Sequence, residues 1–306
     1  MKAIQFTEFG HSDVLKLIDT DMPAFNKNEV LVKVSATSVN PLEMKIREGY
    51  FQKIMPIEFP YIPGTDMSGT VESVGSEVTR IKPGDEVYAS THGSSYAGYI
   101  TLNQDLVALK PKNITFVEAA ALAVPLVTSY SLLNESAKLQ SGQKILIQGA
   151  SGGVGSILVQ MAKILGAYVI VTASSTDAGR LKSLGADEVI DYKTQDFTQL
   201  VKDVDVVADL AGGEAQNKLF YVLKAGGKLL SIVMPPSAEL TEKYKVTGEF
   251  IMGNPSYKKL ALCEQWILDG KIIAQVAKTM KLEQAAAAQD LVSKGGVKGK
   301  VVLEID

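Results

Sequence analysis

Through the middle of the chain, short apolar runs alternate with segments whose apolar residues recur at helical spacing. Residues 145–147 form the first run, and residues 154–165 follow with apolar side chains on one helical face. A second helix-like segment lies at residues 177–184. Further strands are predicted at Tyr168–Ala173, Glu188–Asp191, 205–210 and 228–233. Strands that alternate with helices in this way predict a doubly wound parallel sheet.

The N-terminal part of the chain has shorter apolar runs and denser turns. Residues 29–36 alternate apolar and polar side chains, as a half-buried strand does. Residues 69–74 and 86–89 are further strand candidates, and residues 82–85 form a turn between them. This pattern predicts a β-rich domain that is separate from the parallel sheet.

After residue 114 the pattern becomes helical. Thr115 and Glu118 have the spacing of a capping box at the start of a helix. Helices are predicted at residues 115–123, 125–137, 257–269 and 282–294, and a last strand at residues 299–305. Because this strand is isolated from the others in sequence, we expect it to pair with the first domain.

A glycine-rich loop, residues 149–155, lies between the first apolar run and its helix. Gly152 and Gly155 keep the spacing of the last two glycines in the dinucleotide-binding fingerprint, and Ala150 takes the place of the first. A missing side chain at Gly152 lets backbone N–H groups approach a pyrophosphate at the positive end of the helix. Such a loop is also typical of a tight turn without a ligand. The surrounding strands and helices favour nucleotide binding.

Composition and charge narrow the class of protein. The 306 residues suffice for one or two domains with buried cores. The net charge of −3, without a long block of one sign, argues against a nucleic-acid surface. No run of about 18 apolar residues occurs, so no membrane partner is expected. The N-terminus has no apolar signal core, and it is predicted to be a strand.

Few residues are available for disulfide or metal chemistry. Cys263 is the one cysteine, which excludes an internal disulfide and favours a cytoplasmic location. Its apolar neighbours predict a buried structural thiol. With His11 and His92 it supplies too few ligands to favour a zinc site, so the chemistry is expected to run without a metal.

Several short motifs occur in order along the whole chain. They are Asn40-Pro41, Pro63-Gly64-Thr65-Asp66, Gly69-Thr70-Val71, Pro83-Gly84-Asp85-Glu86-Val87, Tyr96-Ala97-Gly98-Tyr99, Glu118-Ala119-Ala120-Ala121-Leu122, the loop at residues 149–155 and Gly299-Lys300-Val301-Val302-Leu303. Together they resemble the medium-chain dehydrogenase/reductase superfamily, and within it the zinc-independent quinone oxidoreductase (zeta-crystallin-like) branch. The resemblance implies an α/β fold with two domains. Residues 1–114 and 262–306 would form a split GroES-like catalytic domain, and residues 115–261 a Rossmann NADP-binding domain. It also implies a cofactor between the domains and a homodimer through the Rossmann sheets.

The resemblance further predicts the absence of catalytic zinc. Zinc-dependent members carry a cysteine in place of Asn40 and a histidine-glutamate pair in place of Thr65-Asp66. They also carry a four-cysteine lobe where this chain has a short loop near residues 89–99. An alcohol dehydrogenase mechanism, in which a metal polarises the alcohol oxygen, is therefore disfavoured.

The end of the second Rossmann strand predicts the cofactor to be NADP(H). An NAD site usually has Asp or Glu there, whereas residues 172–176 are Thr, Ala, Ser, Ser and Thr. By resemblance, the 2′-phosphate pocket draws on Ser174, Ser175, Arg180 and Tyr192. The acidic Asp177 complicates this assignment. The alternative is that Arg180 is a solvated charge and that the serines cap the helix.

Without a metal, the simplest chemistry is hydride transfer from a nicotinamide to a quinone or an α,β-unsaturated carbonyl compound. By resemblance, Asn40 lies near the substrate and donates a hydrogen bond to its carbonyl oxygen, and Tyr50 stacks on the substrate or supplies a proton. The alternatives are a turn residue at Asn40 and a packed aromatic at Tyr50. The remaining predicted cofactor residues are Thr128, Ser151, Gly152, Gly153, Val154, Ala211, Gly212, Ser231, Ile232, Val233 and Lys300.

Two other functions stay open at this point. One is an enoyl-thioester reductase, although no basic cluster for a carrier arm is evident. The other is a non-catalytic NADPH-binding protein of crystallin-like or redox-sensing type. The sequence does not identify the physiological substrate.

Overall fold

The computed structural model describes residues 1–306 and forms most of the elements that the periodicity predicts. The strands are β1 Lys2–Gln5, β2 Lys16–Asp19, β3 Glu29–Ser38, β4 Asp66–Val74, β5 Glu86–Ser90, β6 Tyr99–Asn103, β7 Ala108–Leu109, β8 Lys144–Gln148, β9 Tyr168–Ala173, β10 Glu188–Asp191, β11 Val204–Asp209, β12 Leu223–Ser231, β13 Thr247–Phe250, β14 Val276–Lys281 and β15 Lys300–Glu304. The helices are α1 Pro41–Arg47, α2 Phe116–Tyr130, α3 Gly153–Ile164, α4 Ala178–Ser183, α5 Phe197–Leu200, α6 Ala215–Leu219, α7 Ala238–Tyr244, α8 Tyr257–Leu268 and α9 Ala285–Ser293. Single 3-10 turns occur at Ser12–Val14, Gln104–Leu106, Ser175–Asp177, Phe220–Val222 and Leu282–Gln284.

The middle of the chain forms a six-stranded sheet in the order β10-β9-β8-β11-β12-β13, and all its pairings are parallel. Because β8 is central and the order reverses beside it, the carboxyl ends of β8 and β11 mark the switch point where ligands bind in such sheets. Leu146, Ile170, Val207 and Leu229 are buried in its core. The doubly wound parallel sheet is confirmed.

The β-rich part forms a seven-stranded sheet in the order β14-β15-β3-β4-β5-β7, with β6 paired to β3. The last strand, β15, pairs antiparallel with β3, so that Val302 lies opposite Ser38. The expectation that the C-terminal strand returns to the first domain is therefore confirmed. This pairing brings Lys300 close to the end of β3.

The helix α2 differs from its prediction. Two helices were expected on either side of Val124, but α2 continues through Pro125 and is followed directly by a π-helical segment, Ser131–Ala137. By length and composition this helical stretch is apolar enough to cross a membrane. That is weak evidence for a span, because 72% of its most apolar window is buried inside the protein, as in a core helix.

The chain divides into two compact units. The β-rich unit contains Met1–Val124, Pro255–Asp269 and Ala274–Asp306, and the Rossmann unit contains Pro125–Asn254 and Gly270–Ile273. The predicted Rossmann domain also included residues 115–124 and 255–261, which the structure places in the β-rich unit. These residues include the first part of α2, where Ala120 and Ala121 pack on Ala36 and Val302 of the β-rich sheet.

Candidate functional site

The corner between β3 and α1 holds the first group of predicted site residues. Asn40 has an extended backbone and lies at the N-cap of α1, and Pro41 takes the first helical position. Proline suits this position because its missing N–H would have no partner in the helix. The Glu43 carboxylate accepts a hydrogen bond from the Asn40 backbone N–H at 3.2 Å, which fixes the start of the helix.

The Asn40 side-chain amide is buried and faces partners on both sides. Its Nδ2 lies 2.7 Å from Asp66 Oδ2 and 3.0 Å from Thr65 Oγ1. Longer contacts reach Glu43 Oε1 at 3.1 Å and the Ser38 carbonyl oxygen at 3.3 Å. Since the amide carries two hydrogens, these four acceptors already engage both of them. A substrate oxygen can receive a hydrogen bond from this nitrogen only by displacing one of them.

Lys300 lies inside the same group of residues. Its ammonium donates to Asn40 Oδ1 at 2.6 Å, to the Val39 carbonyl oxygen at 3.1 Å and to Asp66 Oδ2 at 3.1 Å. Lys300 is 5% exposed, and all three of its ammonium hydrogens have acceptors. The sequence-based role of Lys300 was cofactor binding. The structure instead places its ammonium against Asn40 and Asp66, so that role stays a prediction without a free N–H to support it.

Asp66 and Glu43 supply the negative charge of this cluster. Asp66 is fully buried and accepts from the Val124 backbone N–H at 2.5 Å and from the Ser38 hydroxyl at 2.5 Å. Glu43 accepts five hydrogen bonds, among them one from the Tyr96 hydroxyl at 2.6 Å. Burial raises the pKa of the Glu43 carboxyl, while the Tyr96 hydrogen bond and the Lys300 charge act in the opposite direction. We call Asn40, Glu43, Thr65, Asp66, Tyr96 and Lys300 the Asn40 cluster.

Sequence reasoning assigned no functional role to Glu43 or Tyr96. The signal for Glu43 was present, because it stands three residues after the N-cap and thus faces Asn40. No local signal links Tyr96 to the cluster, since it arrives from the segment after β5. Burial raises the pKa of the Tyr96 phenol well above its ordinary range, so it remains a hydrogen-bond donor.

Tyr50 lies outside this cluster. It follows α1 and is 76% exposed, so the packed-aromatic alternative does not describe it.

Cys263 is fully buried in α8, and burial raises the pKa of its thiol to about 12, as expected of a structural thiol. No group of three or more His, Cys, Asp and Glu side chains is arranged to hold a metal ion.

In the Rossmann unit, the glycine loop has the geometry that the fingerprint requires. Gly149 has φ +82°, which favours glycine. A Cβ on Gly155 would lie 2.3 Å from the Gly149 carbonyl oxygen, so only glycine fits beneath the loop. A Cβ on Gly152 would meet nothing closer than 3.7 Å, which leaves the space beside this residue open. The N-terminus of α3 has no side-chain cap. The backbone N–H groups of Gly153 and Val154 lie in the first turn, where a helix offers no acceptor for them. With no side-chain cap either, they suit a phosphate.

Arg180 is held against this loop. Its Nη2 donates to the Ser151 carbonyl oxygen at 3.0 Å and to Asp177 Oδ2 at 2.7 Å, and its Nε donates to Asp177 Oδ1 at 2.9 Å. Asp177 is 2% exposed, and the Arg180 guanidinium pairs with its buried carboxylate. Arg180 is thus not the solvated helix charge of the alternative interpretation.

Ser174 and Ser175 supply no side-chain cap to the helix that follows them. The Ser174 hydroxyl shares a hydrogen bond with the Thr176 hydroxyl at 2.9 Å. Tyr192 is 59% exposed after β10.

The carboxyl ends of β8, β11 and β12 each carry a polar side chain. Asp209, at the end of β11, accepts from the backbone N–H groups of Ala211 and Gly212 and from the Ser231 hydroxyl, at 2.8 to 3.1 Å. It thereby shapes the two loops that contain the predicted cofactor residues. These residues are Ala211, Gly212, Ser231, Ile232 and Val233, and the strand β12 ends at Ser231, earlier than predicted.

Asp209 and Gln148 were missed from sequence, although a polar residue that ends an apolar strand is a usable signal. Gln148, at the end of β8 opposite Asp209, has a buried Oε1 without a hydrogen-bond partner. Thr128 lies on α2, near Gly253 of the same unit.

Comparisons with known proteins agree with this architecture. A family described as the alcohol dehydrogenase GroES-like domain matches residues 26–112, and one described as zinc-binding dehydrogenase matches residues 184–303. Quinone oxidoreductase of Mus musculus is 31% identical, covering 99% of this chain and 97% of the mouse protein. The 2-methylene-furan-3-one reductase of Solanum lycopersicum is 42% identical over 77% of this chain, which spans 64% of the tomato protein.

A solved structure extends the similarity to the whole fold. The structure of Escherichia coli quinone oxidoreductase complexed with NADPH superposes with a TM-score of 0.91 at 26% identity, covering 100% of both chains. Both kinds of match span the β-rich and the Rossmann units. The chain therefore belongs to the quinone oxidoreductases of the medium-chain dehydrogenase/reductase superfamily, and it is an oxidoreductase.

Proposed function

We propose that this protein is an NADPH-dependent reductase that transfers hydride to quinones or to α,β-unsaturated carbonyl compounds. The observation that carries the cofactor assignment is Arg180, whose guanidinium lies against the Ser151 carbonyl beside the glycine loop. Support for the acceptor class comes from the names of the relatives, a quinone oxidoreductase and a reductase of an exocyclic enone.

The residues of the Rossmann unit fit a dinucleotide. The open space at Gly152 and the uncapped first turn of α3 suit a pyrophosphate, bound by Ser151, Gly152, Gly153 and Val154. Ser174, Ser175, Arg180 and Tyr192 bind the 2′-phosphate, because a guanidinium and hydroxyl groups favour this dianion. Thr128, Ala211, Gly212, Ile232 and Val233 orient the nicotinamide end. When bound, the nicotinamide supplies the hydride.

At the acceptor, side chains of the protein position the quinone or enone and supply its proton. Hydride adds to the β-carbon of an enone or to a quinone carbonyl, and negative charge grows on oxygen. Asn40 stabilises that oxygen by exchanging one internal hydrogen bond for a hydrogen bond to the substrate. The exposed Tyr50 stacks on the planar acceptor, and its phenol supplies the proton that completes the reduction.

The proposal is tested by following NADPH oxidation with 1,4-benzoquinone, but-3-en-2-one and crotonyl-CoA side by side, and by repeating each assay with NADH. We expect turnover of the quinone or the enone, with a higher kcat/KM for NADPH than for NADH. A preference for the thioester would instead make the protein an enoyl-thioester reductase. NADPH binding without turnover of any acceptor would identify a non-catalytic cofactor-binding protein.

A homodimer and a cytoplasmic location complete the proposal. The support for the dimer is the resemblance to the family, and the support for the location is the single buried cysteine. Sedimentation of the purified protein and imaging of a tagged chain check these two statements.

A further inference from the structure

We propose that Lys300 is a positioning residue for the reaction: its ammonium fixes which way the side-chain amide of Asn40 faces. The inference rests on the proposed function, because it takes Asn40 to act at the acceptor. The ion pair of Lys300 with Asp66 then orients a catalytic side chain as well as stabilising the fold.

The amide of Asn40 lies between two charged groups of opposite sign. Lys300 Nζ, which only donates hydrogen bonds, is 2.6 Å from Oδ1. Asp66 Oδ2 is 2.7 Å from Nδ2, and an ionised carboxylate only accepts. A half-turn of the amide would place its oxygen against the carboxylate and its nitrogen against the ammonium. Both contacts would be repulsive, so the charge pair permits one orientation.

Lys300 is the charged donor to Asn40 Oδ1, at 2.6 Å, and the capping box adds only the neutral backbone N–H of Glu43 on the Asn40 side chain. The nitrogen end has four acceptors, so loss of any one of them leaves others in place. The oxygen end has no second charged donor. Control of the orientation therefore lies with Lys300, which reaches Asn40 from a position 260 residues away in the chain.

The orientation matters for an acceptor that gains negative charge. With Nδ2 on the side of Thr65 and Asp66, the amide has N–H hydrogens, and one of them can exchange its internal acceptor for a developing oxyanion. A turned amide would present its oxygen to that charge instead. Loss of Lys300 should therefore lower kcat for the acceptor. It should leave the NADPH dissociation constant unchanged, because the proposed cofactor residues lie in the Rossmann unit.

A double variant separates positioning from stability. Lys300→Met alone leaves the fully buried Asp66 carboxylate unpaired, so a loss of melting temperature and of activity is expected together. Lys300→Met combined with Asp66→Asn removes both charges, and such replacements often restore stability. The double variant should recover most of the melting temperature, because neither partner is left as an unpaired buried charge. The amide that Asp66→Asn introduces can donate to Asn40 Oδ1, which favours the turned orientation. The kcat of the double variant should therefore stay at least about tenfold below that of the wild type, with the NADPH dissociation constant within about twofold.

Lys110→Met is the matched control. Lys110 is also a buried lysine, 8% exposed, and its ion pair with Glu86 spans 3.1 Å. This variant should lower the melting temperature without changing kcat, which shows that loss of a buried ammonium is not sufficient by itself.

A second readout does not depend on turnover. The side-chain amide NMR signals of Asn40, assigned by their disappearance in Asn40→Asp, should shift in the double variant and stay in place in Lys110→Met. Unchanged signals, or a double variant that regains wild-type kcat together with its stability, would overturn the inference. An inactive wild type would contradict the proposed function instead, and the amide signals would still decide whether Lys300 sets the orientation.

Discussion

The Asn40 cluster and the glycine loop at residues 149–155 differ in how many of their polar groups already have partners. In the cluster, Asn40, Asp66 and Lys300 are at most 5% exposed and satisfy one another. At the loop, the first turn of α3 has no side-chain cap, and a Cβ on Gly152 would meet nothing closer than 3.7 Å. The first region is closed before any ligand arrives, and the second is open.

This difference fits two requirements of the proposed reductase. A site that stabilises growing charge needs groups that are already oriented, and a closed network of charged hydrogen bonds supplies that order. A site that binds a phosphate needs N–H groups that are still free, and a helix N-terminus supplies them. Substitutions that leave a buried charge unpaired in the first region should therefore lower stability, and those that fill the open space of the second should lower cofactor affinity.

The largest effect is expected for Asp66→Ala. It leaves the buried Lys300 ammonium without its ion-pair partner and removes the acceptor of the Val124 N–H. We expect a loss of about 3–5 kcal/mol in the free energy of unfolding, measured by urea denaturation. Glu8→Ala, at an exposed acid, is the control and should change it by less than about 0.5 kcal/mol. A small loss for Asp66→Ala would show that the cluster is not a closed network.

A pair of glycine variants tests the open region. In Gly155→Ala the new Cβ would lie 2.3 Å from the Gly149 carbonyl oxygen, so the loop must move and the protein should lose about 1–3 kcal/mol of stability. Gly152→Ala has room for its Cβ and should fold with nearly unchanged stability. Because that Cβ fills the space proposed for the pyrophosphate, the NADPH dissociation constant should rise about tenfold, measured by fluorescence titration. Unchanged affinity in Gly152→Ala would refute the phosphate assignment at this loop.

Arg180→Ala tests the proposed specificity for NADPH. Hydrogen bonds to charged groups contribute about 1.5–3 kcal/mol, so NADPH binding should weaken about tenfold or more, while NADH binding stays nearly the same. Calorimetric titration with both cofactors gives the comparison. Lys182→Ala, in the same helix, is the control. Equal losses for NADPH and NADH would mean that Arg180 supports the loop through Ser151 and does not bind a 2′-phosphate.

The smallest effect is expected for Tyr50→Ala. A side chain that is 76% exposed contributes little to folding, so the melting temperature should hardly change. Loss of aromatic stacking, worth about 0.5–1.5 kcal/mol, should raise the KM of the quinone or enone a few-fold. Leu109→Ala, at another exposed apolar residue, should leave KM unchanged. An unchanged KM in Tyr50→Ala would remove this residue from the acceptor site.

Much of the Rossmann unit was predictable, because its signals are local. Apolar runs and helical spacing located β9 and β10 with their observed bounds and α3 to within a residue at each end. Glycine spacing located the loop, since a tight turn and a close helix–strand approach need residues without side chains. The continuous helix through Pro125 was missed, because proline usually ends a helix and burial overrode that preference here.

The sequence by itself determined the parallel sheet and the glycine loop, because apolar periodicity and glycine spacing are local signals. The resemblance to the family supplied the candidate residues of the phosphate pocket. Only the tertiary structure decided the hydrogen-bond partners of Asn40. Asn40 meets Asp66 across 26 positions and Lys300 across 260, and no periodicity records such distances. The pairing of β15 with β3 brings them together. For that reason Lys300, first assigned to the cofactor, is found against the amide of Asn40.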